Sequence, residues 1–237
     1  MKIWAGTSGY AYKEWKGSFY PDDLRADDML RYYGEKLSAV EINNTFYRMP
    51  RRSVLEGWAE KVPDGFRFSL KASRKITHFK RLNDTQEETD YLVSTASALG
   101  SRAGVILYQL PPNFKMDLER LARFLEQLPN SKRSAFEFRH PSWFEDEVFE
   151  LLGKHGSALC IAETDDLEGP PLVGTAPWGY LRLRKADYTE NELIEWLQRM
   201  RARDWSEAYV FFKHEGEGAG AGLAARLLEL EAEGGSS

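Results

Sequence analysis

The segment S-A-F-E-F-R-H-P, residues 134–141, alternates between apolar and polar side chains. Phe136 and Phe138 form one set and Glu137 and Arg139 belong to the other, as in a β-strand whose successive side chains point to opposite faces. A histidine and a proline follow directly, so the charged residues stand at the end of the strand. The segment therefore predicts a strand that presents charged groups at its C-terminal end.

Seven further β-rich runs recur along the chain at a near-regular interval. The eight runs begin near Ile3, Ala39, Phe66, Gly104, Ser134, Ala158, Trp178 and Ala208. Their starts span about 205 residues, or roughly 29 residues per step, and helical patterns lie between them. Parallel strands can be joined only by long crossovers, so this alternation predicts an α/β fold, a single (β/α)8 TIM-like barrel over residues 1–233. Residues 234–237 are predicted to be a disordered tail.

The ends of the helices and one irregular connection are also marked in the sequence. Three capping boxes are predicted, at Asp84 with Glu87, Ser142 with Glu145, and Thr189 with Glu192. Residues 164–177 contain three prolines and no helical period, which predicts an irregular connection between strands six and seven. The glycine-rich residues 216–222 are expected to precede a last helix from about 223 to 233.

Composition limits the classes of function. The 237 residues carry a net charge of −5, which argues against a whole-surface electrostatic contact with nucleic acid or anionic lipid. A single cysteine excludes an internal disulfide and a multi-cysteine zinc site. No apolar run is long enough to span a membrane, and the start of the chain is strand-like, so we expect a cytoplasmic protein without membrane contact. No Walker, Rossmann or G-x-S-x-G motif occurs, and no cofactor is predicted.

The inward-facing set of side chains is unusually polar. We predict that Ala39, Glu41, Glu137, Arg139 and Arg182 point into the barrel, whereas Val40, Ile42, Phe136, Phe138, Leu181 and Leu183 face the helices. Late strand positions line the C-terminal mouth, where barrel active sites lie. The polar residues expected to converge there are Glu41, Asn43, Lys71, Gln109, Glu137, Arg139, Arg182 and Lys213.

Two interpretations of these polar residues remain open. Opposite charges such as Glu137 with Arg139, or Lys71 with Glu41, can satisfy one another as a purely structural network. Such a network carries a desolvation penalty on the order of several kcal/mol per ion, which a structural barrel avoids by using Val, Ile and Leu. The sequence therefore favours a functional reason for the network.

Catalytic roles follow from residue type and position. We expect Glu137 to act as a general acid or base positioned by Arg139, His140 as a second acid/base group, and Glu41 as a further site of proton transfer. Lys71 is expected to stabilise developing negative charge. The predicted substrate-binding residues are Asn43, Tyr47, His78, Gln109, Arg139, Arg182, Arg184, Lys213 and His214. No tight ligand spacing such as H-E-x-x-H is present, so no metal is predicted to be required.

Five motifs in order along the chain are similar to those of one known family. They are G-T-S-G-Y (6–10), V-E-I-N-N-T-F-Y-R-M-P (40–50), F-R-F-S-L-K (66–71) with I-T-H (76–78), Y-Q-L-P-P-N-F (108–114) and F-E-F-R-H-P-S-W (136–143). Together they resemble the domain-of-unknown-function 72 family over essentially the whole chain. The resemblance implies a TIM-barrel-like domain with no established activity. Where many members carry an F-N-N-D-like sequence, this chain has F-K-H-E at residues 212–215.

The leading hypothesis is an enzyme that acts on a small anionic substrate, such as a phosphate-bearing sugar or nucleotide-type molecule. Barrels often bind phosphate near the loops after strands seven and eight, where this chain has Arg182, Arg184, Lys213 and His214. Hydrolysis, isomerisation and elimination all remain open, and a glycosidase would need a carboxylate spacing that a sequence does not give. The alternative is a non-catalytic protein that binds nucleotides or nucleic-acid fragments through basic and aromatic residues. The oligomeric state stays open.

Overall fold

Eight parallel strands close into a barrel in a computed structural model that describes residues 1–129, 132–164, 169–213 and 216–234. The strands are β1 (Lys2–Thr7), β2 (Ala39–Ile42), β3 (Arg67–Lys71), β4 (Ala103–Gln109), β5 (Arg133–Glu137), β6 (Ala158–Glu163), β7 (Trp178–Leu183) and β8 (Glu207–Phe212). They are hydrogen-bonded in sequence order, and β8 pairs with β1. The predicted TIM-like fold is confirmed, with each strand starting within one residue of its expected position.

Helices cover the outside of the barrel. They are α1 (Met29–Lys36), α2 (Arg52–Glu60), α3 (Gln86–Ala96), α4 (Leu118–Gln127), α5 (Asp146–Lys154), α6 (Glu190–Arg201) and α7 (Ala219–Gly234). Short 3-10 helices or a π-helical turn follow several strands at the mouth, as at Asn44–Phe46 and Lys75–Phe79. The described part of the β6–β7 connection, residues 169–177, contains no helix, as predicted, while residues 165–168 lie outside the described residues.

The apolar side chains form two separate layers. The outer layer, between strands and helices, includes Val40, Ile42, Phe136, Phe138, Leu181 and Leu183. The inner layer fills the barrel and consists of Trp4, Ala39, Val105, Leu107, Ala135, Ala158, Cys160, Trp178, Tyr180, Tyr209 and Phe211. This division confirms the predicted orientation for the residues within the strands, because Ala39 and Ala135 precede Glu41 and Glu137 by two residues on the same face. Arg139, also predicted to point inward, lies beyond the end of β5.

Aromatic rings close the N-terminal end of the barrel. Trp4 stacks on Tyr209 with a centroid distance of 6.2 Å, and Trp178 meets the same tyrosine edge-on at 6.1 Å. Arg133 donates a hydrogen bond to the Tyr209 hydroxyl at 2.9 Å. Because these bulky residues fill the bottom of the interior, the fully buried charged side chains lie at the opposite end, whereas Arg133 and its ion-pair partner Glu207 are partly exposed at the bottom.

The predicted helix starts are only partly correct. Thr189 and Glu192 form the expected capping box at the start of α6. Asp84 does not cap α3, because it adopts a left-handed backbone with φ of 49° and the helix begins two residues later. Ser142 does not cap α5 either, since it lies within a 3-10 turn over Pro141–Trp143. In both places a loop that returns from the mouth occupies the residues assigned to the cap.

The last helix begins earlier than the sequence suggests. α7 starts at Ala219, although the glycines before residue 223 predicted a loop. A Cβ atom on Gly220 would lie 1.9 Å from the carbonyl oxygen of Lys213, so a glycine is needed where this helix packs directly on the end of β8. The helix also includes Gly234, the first residue of the predicted tail. Residues 235–237 lie outside the described residues.

Replacing Gly6 by alanine should destabilise the barrel. A Cβ atom on Gly6 would lie 1.7 Å from the carbonyl oxygen of Ala39 and 2.7 Å from the Tyr33 hydroxyl, in a strand that is paired on both sides. Overpacking of this kind costs about 1–3 kcal/mol or more. Gly57→Ala is the matched control, because nothing lies within 4 Å of its added methyl group in α2. Alanine is favoured over glycine in a helix, so this control should raise the urea midpoint while Gly6→Ala lowers it. An unchanged midpoint for Gly6→Ala would contradict the packing argument.

Candidate functional site

A buried arginine bridges two glutamates at the C-terminal end of the barrel. Arg182 on β7 donates from Nη1 to Glu137 Oε2 of β5 at 2.6 Å, and from Nη2 to Glu41 Oε1 of β2 at 2.8 Å. The Arg182 side chain is 1% exposed, the Glu41 side chain is 0% exposed and the Glu137 side chain is 4% exposed. We call these three residues the ionic bridge. It joins strands that are not neighbours in the barrel.

Neutral donors complete the coordination of Glu41. Ser8 Oγ donates to Glu41 Oε1 at 2.8 Å, and the Tyr180 hydroxyl donates to Glu41 Oε2 at 2.8 Å. Asn43 Nδ2 donates to Glu41 Oε1 at 3.3 Å, which confirms that these two predicted residues converge. Ser8 and Tyr180 were not among the predicted site residues. Tyr180 could have been predicted, because it precedes Arg182 by two residues and therefore lies on the same inward face of β7.

Glu137 is held by one amide and a second arginine. Gln109 Nε2 lies 2.9 Å from both oxygens of Glu137, and Arg139 Nε donates to Glu137 Oε1 at 3.1 Å. Arg139 keeps 42% of its side chain exposed, so it lies at the mouth above the ionic bridge and not inside the barrel.

The ionic bridge keeps both carboxylates ionised. Burial alone would raise the pKa of Glu137, but the charges of Arg182 and Arg139 and the Gln109 hydrogen bond hold it at about 2. The pKa of Glu41 is lowered as well, because Arg182, Tyr180 and Ser8 outweigh the effect of burial. A carboxylate with such a low pKa is a weak base and carries no proton to donate near neutral pH. This differs from the acid/base role that the sequence suggested for Glu137 and Glu41.

Basic side chains surround the ionic bridge at the mouth. Burial and then the charge of Arg182 lower the pKa of Lys71 to about 8, and the same two causes lower the pKa of Arg184. Burial followed by the charges of Lys71 and Arg139 lowers the pKa of His78. These mutual effects show that the side chains of β3, β5, β7 and the loop after β3 converge. We call Lys71, His78, Arg139 and Arg184 the basic rim.

An aromatic ring supports two members of the basic rim. Lys71 Nζ lies 4.4 Å from the centroid of the Phe46 ring, and the His78 ring meets the same ring edge-on at 4.9 Å. Phe46 ends the 3-10 turn after β2, and the Thr45 hydroxyl of this turn lies 2.7 Å from the Lys71 carbonyl oxygen. The loop after β2 is therefore fixed to the end of β3.

The remaining predicted site residues are not hydrogen-bonded to the ionic bridge in the described part of the chain. His140 Nδ1 accepts from the Ser142 backbone amide at 3.2 Å, and in the described chain no hydrogen bond or ion pair joins His140 to the ionic bridge. Arg184 lies one residue beyond β7, and its backbone amide donates to the carbonyl oxygen of Glu163. Lys213 lies one residue beyond β8, and its backbone amide donates to the carbonyl oxygen of Leu183. Tyr47 is exposed beside Phe46, with a ring centroid distance of 5.1 Å. His214 lies outside the described residues.

Neither a metal site nor a membrane-spanning segment is found in the described ranges. No group of three or more His, Cys, Asp or Glu side chains there is arranged to hold a metal ion. Glu163, one of the acidic residues late in a strand, accepts hydrogen bonds from Tyr188 and Trp196. Within those ranges no helix is long and apolar enough to cross a bilayer. Metal independence and a cytoplasmic location stay predictions.

Fold and site together define a closed (β/α)8 barrel protein with a buried ionic bridge and a basic rim at its C-terminal mouth. A family model described as "Protein of unknown function DUF72" matches residues 4–236. The chain belongs to this family, which confirms the resemblance seen in the five sequence motifs.

Relatives of the chain carry family names without a stated activity. The UPF0759 protein YunF of Bacillus subtilis is 28% identical over 271 residues, covering 96% of this chain and 94% of YunF. The UPF0759 protein YecE of Escherichia coli K12 is 33% identical over 130 residues, and that match spans about half of each protein, 53% of this chain and 48% of YecE. The crystal structure of the DUF72 family protein TM1631 from Thermotoga maritima superposes with a TM-score of 0.86 at 27% identity, covering 98% of this chain and all of that one.

Removing the arginine of the ionic bridge should strongly destabilise the protein. Arg182→Met leaves two buried carboxylates without their shared cation, and breaking a buried ion pair in this way costs about 3–5 kcal/mol. The control is Arg226→Met on α7, where a partly exposed arginine also contacts three carboxylates, all of them exposed. Solvent screens those contacts, so the control should leave the urea midpoint nearly unchanged. Equal losses in the two variants would refute the structural role of the bridge.

Stability should also decline in acid because of Glu137. Its pKa is lowered from 4.5 to about 2 in the folded protein, so its contribution is complete above pH 4.5 and is lost as the pH falls towards 2. The shift corresponds to a stabilisation on the order of 3 kcal/mol. Urea unfolding of the wild type and Glu137→Gln between pH 6 and pH 3 should show the difference between them shrinking as the pH decreases. A difference that is constant with pH would show that this carboxylate is not held ionised by its neighbours.

Proposed function

We propose that this protein is an enzyme that acts on a small anionic substrate, a phosphate-bearing sugar or nucleotide-type molecule, by acid/base chemistry at the C-terminal mouth. The observation that carries the proposal is the surplus of positive charge there. Glu41 and Glu137 are bound to Arg182, so their charges are already compensated in part within the bridge. Lys71, Arg139 and Arg184 add three basic groups around them. An anion would supply the missing negative charge.

The accessible arginines fit an anion better than Arg182 does. Both terminal nitrogens of Arg182 are engaged by glutamates and the side chain is buried, which differs from its predicted role as a substrate ligand. Arg139 uses Nε for Glu137, and within the described ranges its two terminal nitrogens have no bond to the protein. Arg184 and Lys213 follow β7 and β8, the region where barrels often bind phosphate. Arginine suits this task because its fork matches phosphate oxygens.

His78 and Lys71 are the groups best placed to move a proton. The lowered pKa of His78 leaves its imidazole neutral near pH 7, and the Thr77 hydroxyl lies 2.9 Å from its Nδ1, which orients the ring. Lys71, with a pKa of about 8, is mostly protonated at that pH. A neutral imidazole can accept a proton, and the ammonium group, whose pKa is close to the operating pH, can donate one. In this proposal Glu41 and Glu137 position Arg182 and shape the local field.

The alternative is a non-catalytic nucleotide or nucleic-acid binder, and exposed aromatic residues favour it. Tyr47 and Phe79 expose 67% and 69% of their surface beside the mouth. The Arg74 guanidinium lies 5.6 Å from the Tyr47 ring and 5.3 Å from the Phe79 ring, so both rings adjoin one cation. In proteins that bind single-stranded nucleic acids, the bases stack on aromatic rings and arginines of this kind.

A ligand panel tests the proposed anion site. At 100 times its dissociation constant, a ligand stabilises the fold by about 2.7 kcal/mol, so a phosphorylated sugar or nucleotide should raise the melting temperature. Arg184→Ala and Lys213→Ala should each reduce that shift, whereas Arg123→Ala, an exposed arginine on α4, should preserve it.

The same panel separates the two candidate functions. Selection of one small phosphorylated compound supports the enzyme. A shift produced only by oligonucleotides, with a steep dependence on salt, supports the nucleic-acid binder. Absence of any shift, or a shift that survives both mouth substitutions, would overturn the anion site.

A further inference from the structure

We propose that Lys71 is a nucleophile that forms an imine with an aldehyde or ketone group of the substrate. This inference deepens the proposed function, on which it rests, because it names the reacting group of the anion held at the mouth. It also gives the neutral form of Lys71 a role different from the electrostatic one that the sequence suggested and from proton donation by the ammonium form.

Lys71 is partly exposed, and its amine packs on an aromatic ring. It is the last residue of β3, and its ε-amino group lies over the Phe46 ring at 4.4 Å. Across the described residues no carboxylate lies within ion-pair distance of this amine, since Glu41 and Glu137 are taken by Arg182. An amine in such a place is available to a carbonyl carbon.

The charge environment keeps part of this amine neutral. Burial and the neighbouring Arg182 lower the pKa of Lys71 to about 8. Roughly a tenth of the side chains then carry a free electron pair at pH 7, several hundredfold more than for an ordinary lysine. Lys75, four residues further on, has the opposite environment. Its Nζ lies 2.6 Å from Glu88 Oε1, and that contact raises its pKa.

The step itself is a condensation that releases water. The neutral Nζ attacks the carbonyl carbon, the C–N bond forms, and the C=O π electrons move to oxygen. A proton passes from nitrogen to oxygen to give a carbinolamine. The C–O bond then breaks as the oxygen takes a second proton from solvent, water leaves, and the nitrogen electron pair forms the iminium double bond. The positive iminium weakens the adjacent C–H bond, and neutral His78, which shares the Phe46 ring with Lys71, is the base that removes this proton.

Borohydride trapping tests the imine. The protein is incubated with glyceraldehyde 3-phosphate or with unphosphorylated glyceraldehyde at the same concentration, and borohydride reduces any imine to a stable secondary amine. Peptide mass spectrometry then measures the adduct at each lysine. We expect Lys71 to be labelled at least tenfold more than Lys75, with half-maximal labelling near pH 8 and a preference for the phosphorylated aldehyde.

Two variants and the wild-type pH profile make the test decisive. Lys71→Arg keeps the charge and should lose the adduct at this position, while Lys75→Arg should keep full labelling of Lys71. If Lys71→Arg does not fold, as judged by circular dichroism, the imine proposal is decided by the labelling profile of the wild type alone. Glycerol 3-phosphate, which has no carbonyl group, reports on anion binding by its thermal shift.

Each combination of results decides at least one of the two proposals. Equal and selective labelling of Lys71 by both aldehydes supports the imine and overturns the anion site. A thermal shift with glycerol 3-phosphate but no excess labelling of Lys71 overturns the imine and supports the anion site. Absence of both overturns both.

Discussion

The guanidinium of Arg182 is bound by carboxylates from two other strands of the barrel, Glu41 on β2 and Glu137 on β5. Removing three charges from water is costly, on the order of several kcal/mol per ion, and is tolerated only where the geometry satisfies nearly every polar atom. Here Ser8 and Tyr180 supply the further donors that Glu41 needs. Because the three strands lie apart in the barrel, the bridge also fixes the shape of the mouth around which the loops are arranged.

The interior of the barrel changes character from one end to the other. Trp4, Trp178 and Tyr209 fill the N-terminal end, smaller residues such as Ala135 and Cys160 fill the middle, and the ions lie at the C-terminal end. At the N-terminal end Arg133 and Glu207 form a partly exposed ion pair, whereas the ions of the bridge are buried near the C-terminal end. The same strands therefore supply both the packed aromatic end and the polar mouth.

Strand positions and the inward-facing polar set were predictable because they depend on the period-two pattern and on regular spacing, as in residues 134–139. The helix starts at Asp84 and Ser142 were not, since a capping box is a local signal and the loops from the mouth override it. The ion pairs were predictable only in part. The expected pair of Glu137 with Arg139 is present, but Lys71 forms no ion pair with Glu41 among the described residues. The partner that both glutamates share is Arg182, more than forty residues away in the chain in each case. Only barrel closure brings these residues together.

The two interpretations that the sequence left open, a structural network and a functional site, apply at different depths. Arg182, Glu41 and Glu137 are buried and bound to one another, with only Nε of Arg182 lacking a hydrogen-bond partner among these three side chains, so their charges serve the structure. Lys71, His78, Arg139 and Arg184 lie one layer further out, where burial is incomplete and the carboxylates are already bound to Arg182. The two layers are coupled, because burial and then the positive charge of Arg182 lower the pKa of both Lys71 and Arg184, while Glu41 and Glu137 act in the opposite direction. Burial and the buried arginine together keep Lys71 close to the point of losing its proton, which is the condition for reactivity at neutral pH.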